Sequence, residues 1–129
     1  MQVHQLEHEL SGMYTRIAHG AGLSALWPSW ARFTCPGDVN RFARYAVNVW
    51  NLDMDFENPM NTALAGIQAT EDFYRSLGMP VTLKELDVDP ERIEEMAEKC
   101  TNFGKRTLPG IRELGKAEMV EIYRMAMGG

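Results

Sequence analysis

The chain has 129 residues, the size of one domain able to bury its own core. A formal net charge of −5 argues against nucleic-acid binding, which usually needs a basic face, and 45% hydrophobic with 24% charged residues is the balance of a globular protein. The N-terminus has no basic leader or apolar core segment and no apolar run approaches a membrane span, so the expected location is cytoplasmic, with no membrane partner. The two cysteines, Cys35 and Cys100, form no C-x-x-C pair and read as free thiols.

The chain reads as helix after helix. From about Val3 to Ile17, the residues Val3, Leu6, Leu10, Met13 and Ile17 fall three and four apart, one apolar stripe of a helix. His4, His8 and Ser11 occupy another face, and Glu7 is the only charged side chain on the histidines' side of the first two turns. By itself that face reads as solvated. Gly20 and Gly22 mark a break or a close backbone approach next to His19. A second helix is expected from Leu23 to Phe33, kinked at Pro28, with Trp27 and Trp30 in the core.

Pro36-Gly37-Asp38 is a turn, and Asp38 caps a helix over Val39 to Trp50 with Phe42, Tyr45, Ala46 and Val49 on one face. Asn58-Pro59 opens the longest helix, Met60 to Leu77, closed by Gly78 and carrying Leu64, Ile67, Phe73 and Leu77 as apolar positions. Thr82 caps a short turn through Leu86, and Asp89-Pro90 starts a helix running to about Cys100. A loop over TNFGKRTLPG leads to a final helix from Glu118 to Met127. No period-two strand stands out, so the expected fold is all-α, a multi-helix bundle forming one domain over residues 1–129.

Several motifs fail on inspection. His8-Glu9-Leu10-Ser11-Gly12 begins like the zinc-protease H-E-x-x-H but has Gly12 where the second histidine belongs. Gly20-Ala21-Gly22-Leu23-Ser24-Ala25 fits G-x-G-x-x-A, yet a helix precedes it where a dinucleotide fingerprint needs a strand. The carboxylates of Asp53 and Asp55 sit on a loop without a base partner and read as solvated. No Glu-x-x-His pair of a four-helix di-iron site is present.

What remains is the histidine set: His4, His8 and His19 are the chain's whole complement, all near its start. Imidazole is a common metal ligand and proton shuttle. At i and i+4, His4 and His8 can converge on one ion or one substrate.

At these residues, HQLEHELSGMYTRIAHGAGLSALWPSWARF resembles the signature region of the iron-containing (group III) alcohol dehydrogenases, most of all their butanol-dehydrogenase branch. The resemblance continues through RFARYAVNVW, ALAGIQATEDFYRSLGMPVTLKELDVD and AEMVEIYRMA, so it covers essentially the whole chain. It implies the helical C-terminal domain of a two-domain enzyme whose α/β N-terminal domain binds NAD or NADP. It implies a metal, usually Fe²⁺ and sometimes Zn²⁺, held by an aspartate and three histidines. His4 matches the first of the two C-terminal metal histidines and His19 the second. His8 matches a pocket histidine that is not a direct ligand and would hydrogen-bond the substrate or relay its proton.

The stretch between His8 and His19, around Thr15-Arg16-Ile17, is slightly longer than the family's usual spacing. The remaining ligands and the Gly-rich cofactor loop are expected upstream, in sequence this chain lacks, and the helix presenting His4 would lack its earlier turns. The expectation is therefore a helical half that binds Fe²⁺ or Zn²⁺ weakly, binds no NAD(P) and does not oxidise alcohols alone. Its expected partner is a nucleotide-binding half. The alternative is a stand-alone helical module that self-associates. The loop from Thr101 to Gly115 would form a rim of the cleft.

Overall fold

A computed structural model describes residues 2–128. Among these, six α-helices follow one another: α1 (Gln2–Met13), α2 (His19–Thr34), α3 (Val39–Trp50), α4 (Pro59–Ser76), α5 (Ile93–Cys100) and α6 (Lys116–Ala126). Short 3-10 turns at Cys35–Gly37, Lys84–Leu86 and Pro90–Arg92 join them. The one β-type pairing among the described residues is an isolated antiparallel bridge between Leu108 and Leu114. The fold is all-α. No helix among the described residues is long and apolar enough to cross a membrane.

Two apolar clusters organise the packing. The larger joins α1, α2, α5 and α6 through Leu6, Leu10, Leu26, Met96, Ile122 and Tyr123. The smaller joins α2, α3 and α4 through Ala31, Phe42, Ala43, Ala63 and Ile67. Trp27 and Trp30 are half-buried and pack against both, so α2 is the shared wall. It runs through Pro28 as one helical element.

Helix ends follow local chemistry. Asp38 accepts from the Arg41 amide and caps α3, and Asp89 accepts from the Glu91 amide ahead of α5. Thr82 caps its short turn through the Glu85 amide. Glu118 reaches back to the Gly115 amide at 2.8 Å and starts α6 two residues earlier than the apolar pattern suggests. Asp55, on its loop, accepts from the backbone of Asn58 and Glu57 and from the Asn61 side chain. Those hydrogen bonds, the Asn58 amide first, hold its carboxyl below the usual range. It shapes the entry to α4.

Two expectations are revised. The first helix ends at Met13 and the break falls over residues 14–18, so His19, Gly20 and Gly22 lie inside the first turn of α2. The Ile17 amide donates to the Tyr14 carbonyl and closes the turn between the two helices. On α4, Leu64 and Phe73 are exposed, as is Leu77 at its C-cap, while Ala63, Gly66, Ile67 and Thr70 are buried. The reason is the closeness of α3: a Cβ added at Gly66 would lie 2.5 Å from Ala46 Cβ. Small residues make that crossing, and the larger side chains are turned outward. Val49 of α3 is exposed for the same geometry.

Candidate metal centre

α1 and α2 pack side by side in opposite directions, with Gln2 at Trp30 and Glu7 against Gly22 in the first turn of α2. His4 and His8 project from α1 and are exposed; His19 opens α2 with its side chain half-exposed. The rings of His4 and His19 lie with centroids 5.4 Å apart and planes inclined at 44°. His8 lines an open cleft of about 470 Å³ with Glu7, Ser11, Gly12 and His19. Thus the structure joins His4 to His19 by ring contact and His8 to His19 across a cleft. Convergence of the three imidazoles on one ion is not found: among the described residues, no group of three or more His, Cys, Asp or Glu side chains is arranged to hold a metal.

Two imidazoles suit one divalent cation. With metal–nitrogen distances of about 2.0–2.1 Å and a near-tetrahedral angle, the centroids of two rings on one ion lie about 5 Å apart. The observed 5.4 Å is of that size, and it is also the spacing of an ordinary tilted ring pair. Imidazole nitrogen is a donor that both Fe²⁺ and Zn²⁺ accept.

Glu7 is the residue that sequence reasoning misplaced. It is not on a solvated face but fully buried. His19 Nδ1 lies 2.5 Å from its Oε1, and the Ser11 hydroxyl donates to its Oε2 at 2.6 Å. A carboxylate only accepts, so His19 Nδ1 is the donor in this contact; in the neutral ring that arrangement leaves the lone pair on Nε2. The signal was in the sequence. Val3, Glu7 and Leu10 are four and three apart, which sets an acid on the stripe that α1 buries. A buried acid needs partners. Gly22 makes room for it, since a Cβ there would lie 2.0 Å from Glu7 Oε2. Gly20, by contrast, has nothing within 4 Å of such a Cβ.

The loop from Thr101 to Gly115 does not line the cleft beside His19. It rims a separate groove with Gln2 and Gln5, through Arg106, Thr107, Leu108 and Pro109. Buried Gln2 ties this loop down, donating to the carbonyls of Leu108 at 3.0 Å and Arg112 at 2.6 Å while accepting from Trp30 Nε1. Both cysteines are free and buried.

The sequence description "Fe-containing alcohol dehydrogenase family, C-terminal" matches residues 1–127. The chain belongs to that family. NADH-dependent butanol dehydrogenase B of Clostridium acetobutylicum is 33% identical over 127 residues, covering 97% of this chain and 32% of that protein. A probable NADH-dependent butanol dehydrogenase 2 of Bacillus subtilis is 34% identical over 125 residues, covering 96% and 32%. The crystal structure of NADH-dependent butanol dehydrogenase A from Thermotoga maritima superposes with a TM-score of 0.84 at 28% identity, over 95% of this chain and 32% of that one. The chain spans about a third of the length of these relatives. It corresponds to the C-terminal domain of an iron-type alcohol dehydrogenase.

Proposed function

We propose that this chain is the metal-coordinating helical part of an NAD(P)-linked alcohol dehydrogenase and that it does not oxidise alcohols alone. The observation that carries the reading is the pairing of His4 and His19 at a separation suited to one cation. His4 and His19 would hold Fe²⁺, or Zn²⁺ in its place. A cation so held supplies Lewis acidity toward an alcohol or carbonyl oxygen. Glu7 Oε1 lies 2.5 Å from Nδ1 of the His19 ring. His8, exposed at the cleft wall, is within the same cleft as His19 and offers an imidazole for hydrogen bonding to a substrate or relaying its proton. Ser11 and Gly12 complete that wall. In the complete enzyme an α/β half would bind the nicotinamide nucleotide and contribute the remaining metal ligands, since two imidazoles leave a coordination sphere open.

The test is activity with and without that half. The purified chain, loaded with Fe²⁺ and given butanol and NAD⁺ or NADP⁺, is expected to produce no NADH or NADPH. Supplying the nucleotide-binding half of a butanol dehydrogenase in trans is expected to give metal-dependent turnover that His19→Ala abolishes. Turnover by the chain alone overturns the need for a partner.

A second reading, a self-associating helical module, draws on the exposed apolar side chains Val49, Leu64, Phe73 and Leu77 of α3 and α4. A sedimentation mass that stays monomeric with rising concentration removes it.

A further inference from the structure

The burial of Glu7 calls for an explanation that stability does not provide. Its carboxylate is fully excluded from water and its two oxygens are matched one to one, Oε1 with His19 Nδ1 and Oε2 with the Ser11 hydroxyl. Holding it there needs Ser11 one turn further along α1 and a residue without a Cβ at position 22 on α2. Buried ion pairs are often no more stabilising than apolar side chains of similar volume. The position sits among Val3, Leu6 and Leu10, which are all buried, so a leucine would suit the core better. What a carboxylate does there, and a leucine cannot, is select the imidazole tautomer and fix the ring plane.

We infer that Glu7 is a positioning residue for His19, holding the ring as its Nδ1–H tautomer so that Nε2 is committed to the divalent cation shared with His4. The inference rests on the proposed coordination by His4 and His19 and adds a residue to it. Ser11 supports Glu7 from the opposite oxygen, and Gly22 supplies the gap. The carboxylate itself touches no metal; it acts through the ring.

The tautomer and the affinity are read separately. In the metal-free chain at pH 8, the ring ¹⁵N shifts of His19 are expected to report Nδ1–H. In Glu7→Leu they are expected to move toward Nε2–H, the form free histidine side chains favour in water. Calorimetric titration with Zn²⁺ is expected to show binding weakened about 10- to 100-fold by Glu7→Leu. Glu7→Gln, which keeps the shape of the side chain, guards against a folding defect and is expected to lose about tenfold. A native chain with His19 as Nε2–H overturns the inference, as do two folded variants that bind Zn²⁺ like the native chain. A native chain that takes up no Zn²⁺ overturns the coordination reading beneath it, while the His19 tautomer still decides whether Glu7 governs the ring.

Discussion

Gly22 makes the space that Glu7 fills: a Cβ at position 22 would stand 2.0 Å from Glu7 Oε2, 2.6 Å from its Cδ and 2.9 Å from its Cγ, so the side chain would have to move. The glycine of α2 and the acid of α1 are therefore one feature. Gly22→Ala gains about 1 kcal/mol of helix propensity and loses about 1–3 kcal/mol to overpacking. The expected result is a small net loss in urea unfolding, together with displacement of the carboxylate from His19. Loss of the Nδ1–H signature of His19 in ¹⁵N spectra checks the displacement.

The α3–α4 crossing gives a second steric prediction, away from the site. A Cβ at Gly66 would meet Ala46 Cβ at 2.5 Å and Ala46 Cα at 2.9 Å, and neither atom can swing aside. Gly66→Ala should destabilise by about 1–3 kcal/mol. Gly12, on α1, has nothing within 4 Å, so Gly12→Ala should stabilise by up to about 1 kcal/mol. Equilibrium urea curves on the two variants are expected to shift in opposite directions.

Tyr123 of α6 is fully buried, and its hydroxyl donates to the Leu6 carbonyl of α1 at 2.7 Å. Tyr123→Phe keeps the ring and loses that bond, at a cost of about 1 kcal/mol. A melt shifted down by no more than this, with metal affinity unchanged, is the expected pair of results.

Alkaline pH should weaken the fold through Cys100. Burial, and then the nearby Glu9 carboxylate, push its thiol from 9.0 up to about 11. A raised value means the folded chain keeps its proton when the unfolded chain has released it. The associated stability is present in full below pH 9 and is lost as pH rises through about 11, amounting to roughly 2–3 kcal/mol. Burial raises the Tyr123 phenol as well, so the decline continues above pH 10. Urea midpoints from pH 8 to 11 check this, and Cys100→Ala should flatten the lower part of the profile.

Helix order was legible because caps and apolar spacing agree over most of the chain. Asp38 and Asp89 announce their helices, and α3 covers the residues its pattern implies. Misreadings arose where packing overrules pattern. Leu64 and Phe73 look like core residues, but Gly66 and Ala46 draw α3 and α4 together on a face of small side chains. The Gly20-Ala21-Gly22 segment looks like a turn because glycine at helical positions carries no local signal of a buried carboxylate one helix away. The histidines announced themselves by type and spacing. Glu7 showed only as an acid on the buried stripe of α1; its partner depends on α2 folding back to set His19 over it.

The central claim is that His4 and His19 share one cation. Co²⁺, whose visible absorption reports its ligands, can be titrated into the native chain and into His4→Ala, His19→Ala and His8→Ala. The account predicts a saturable band for the native chain, binding at least about tenfold weaker without either His4 or His19, and little change without His8. Native-like Co²⁺ binding by both His4→Ala and His19→Ala would contradict it.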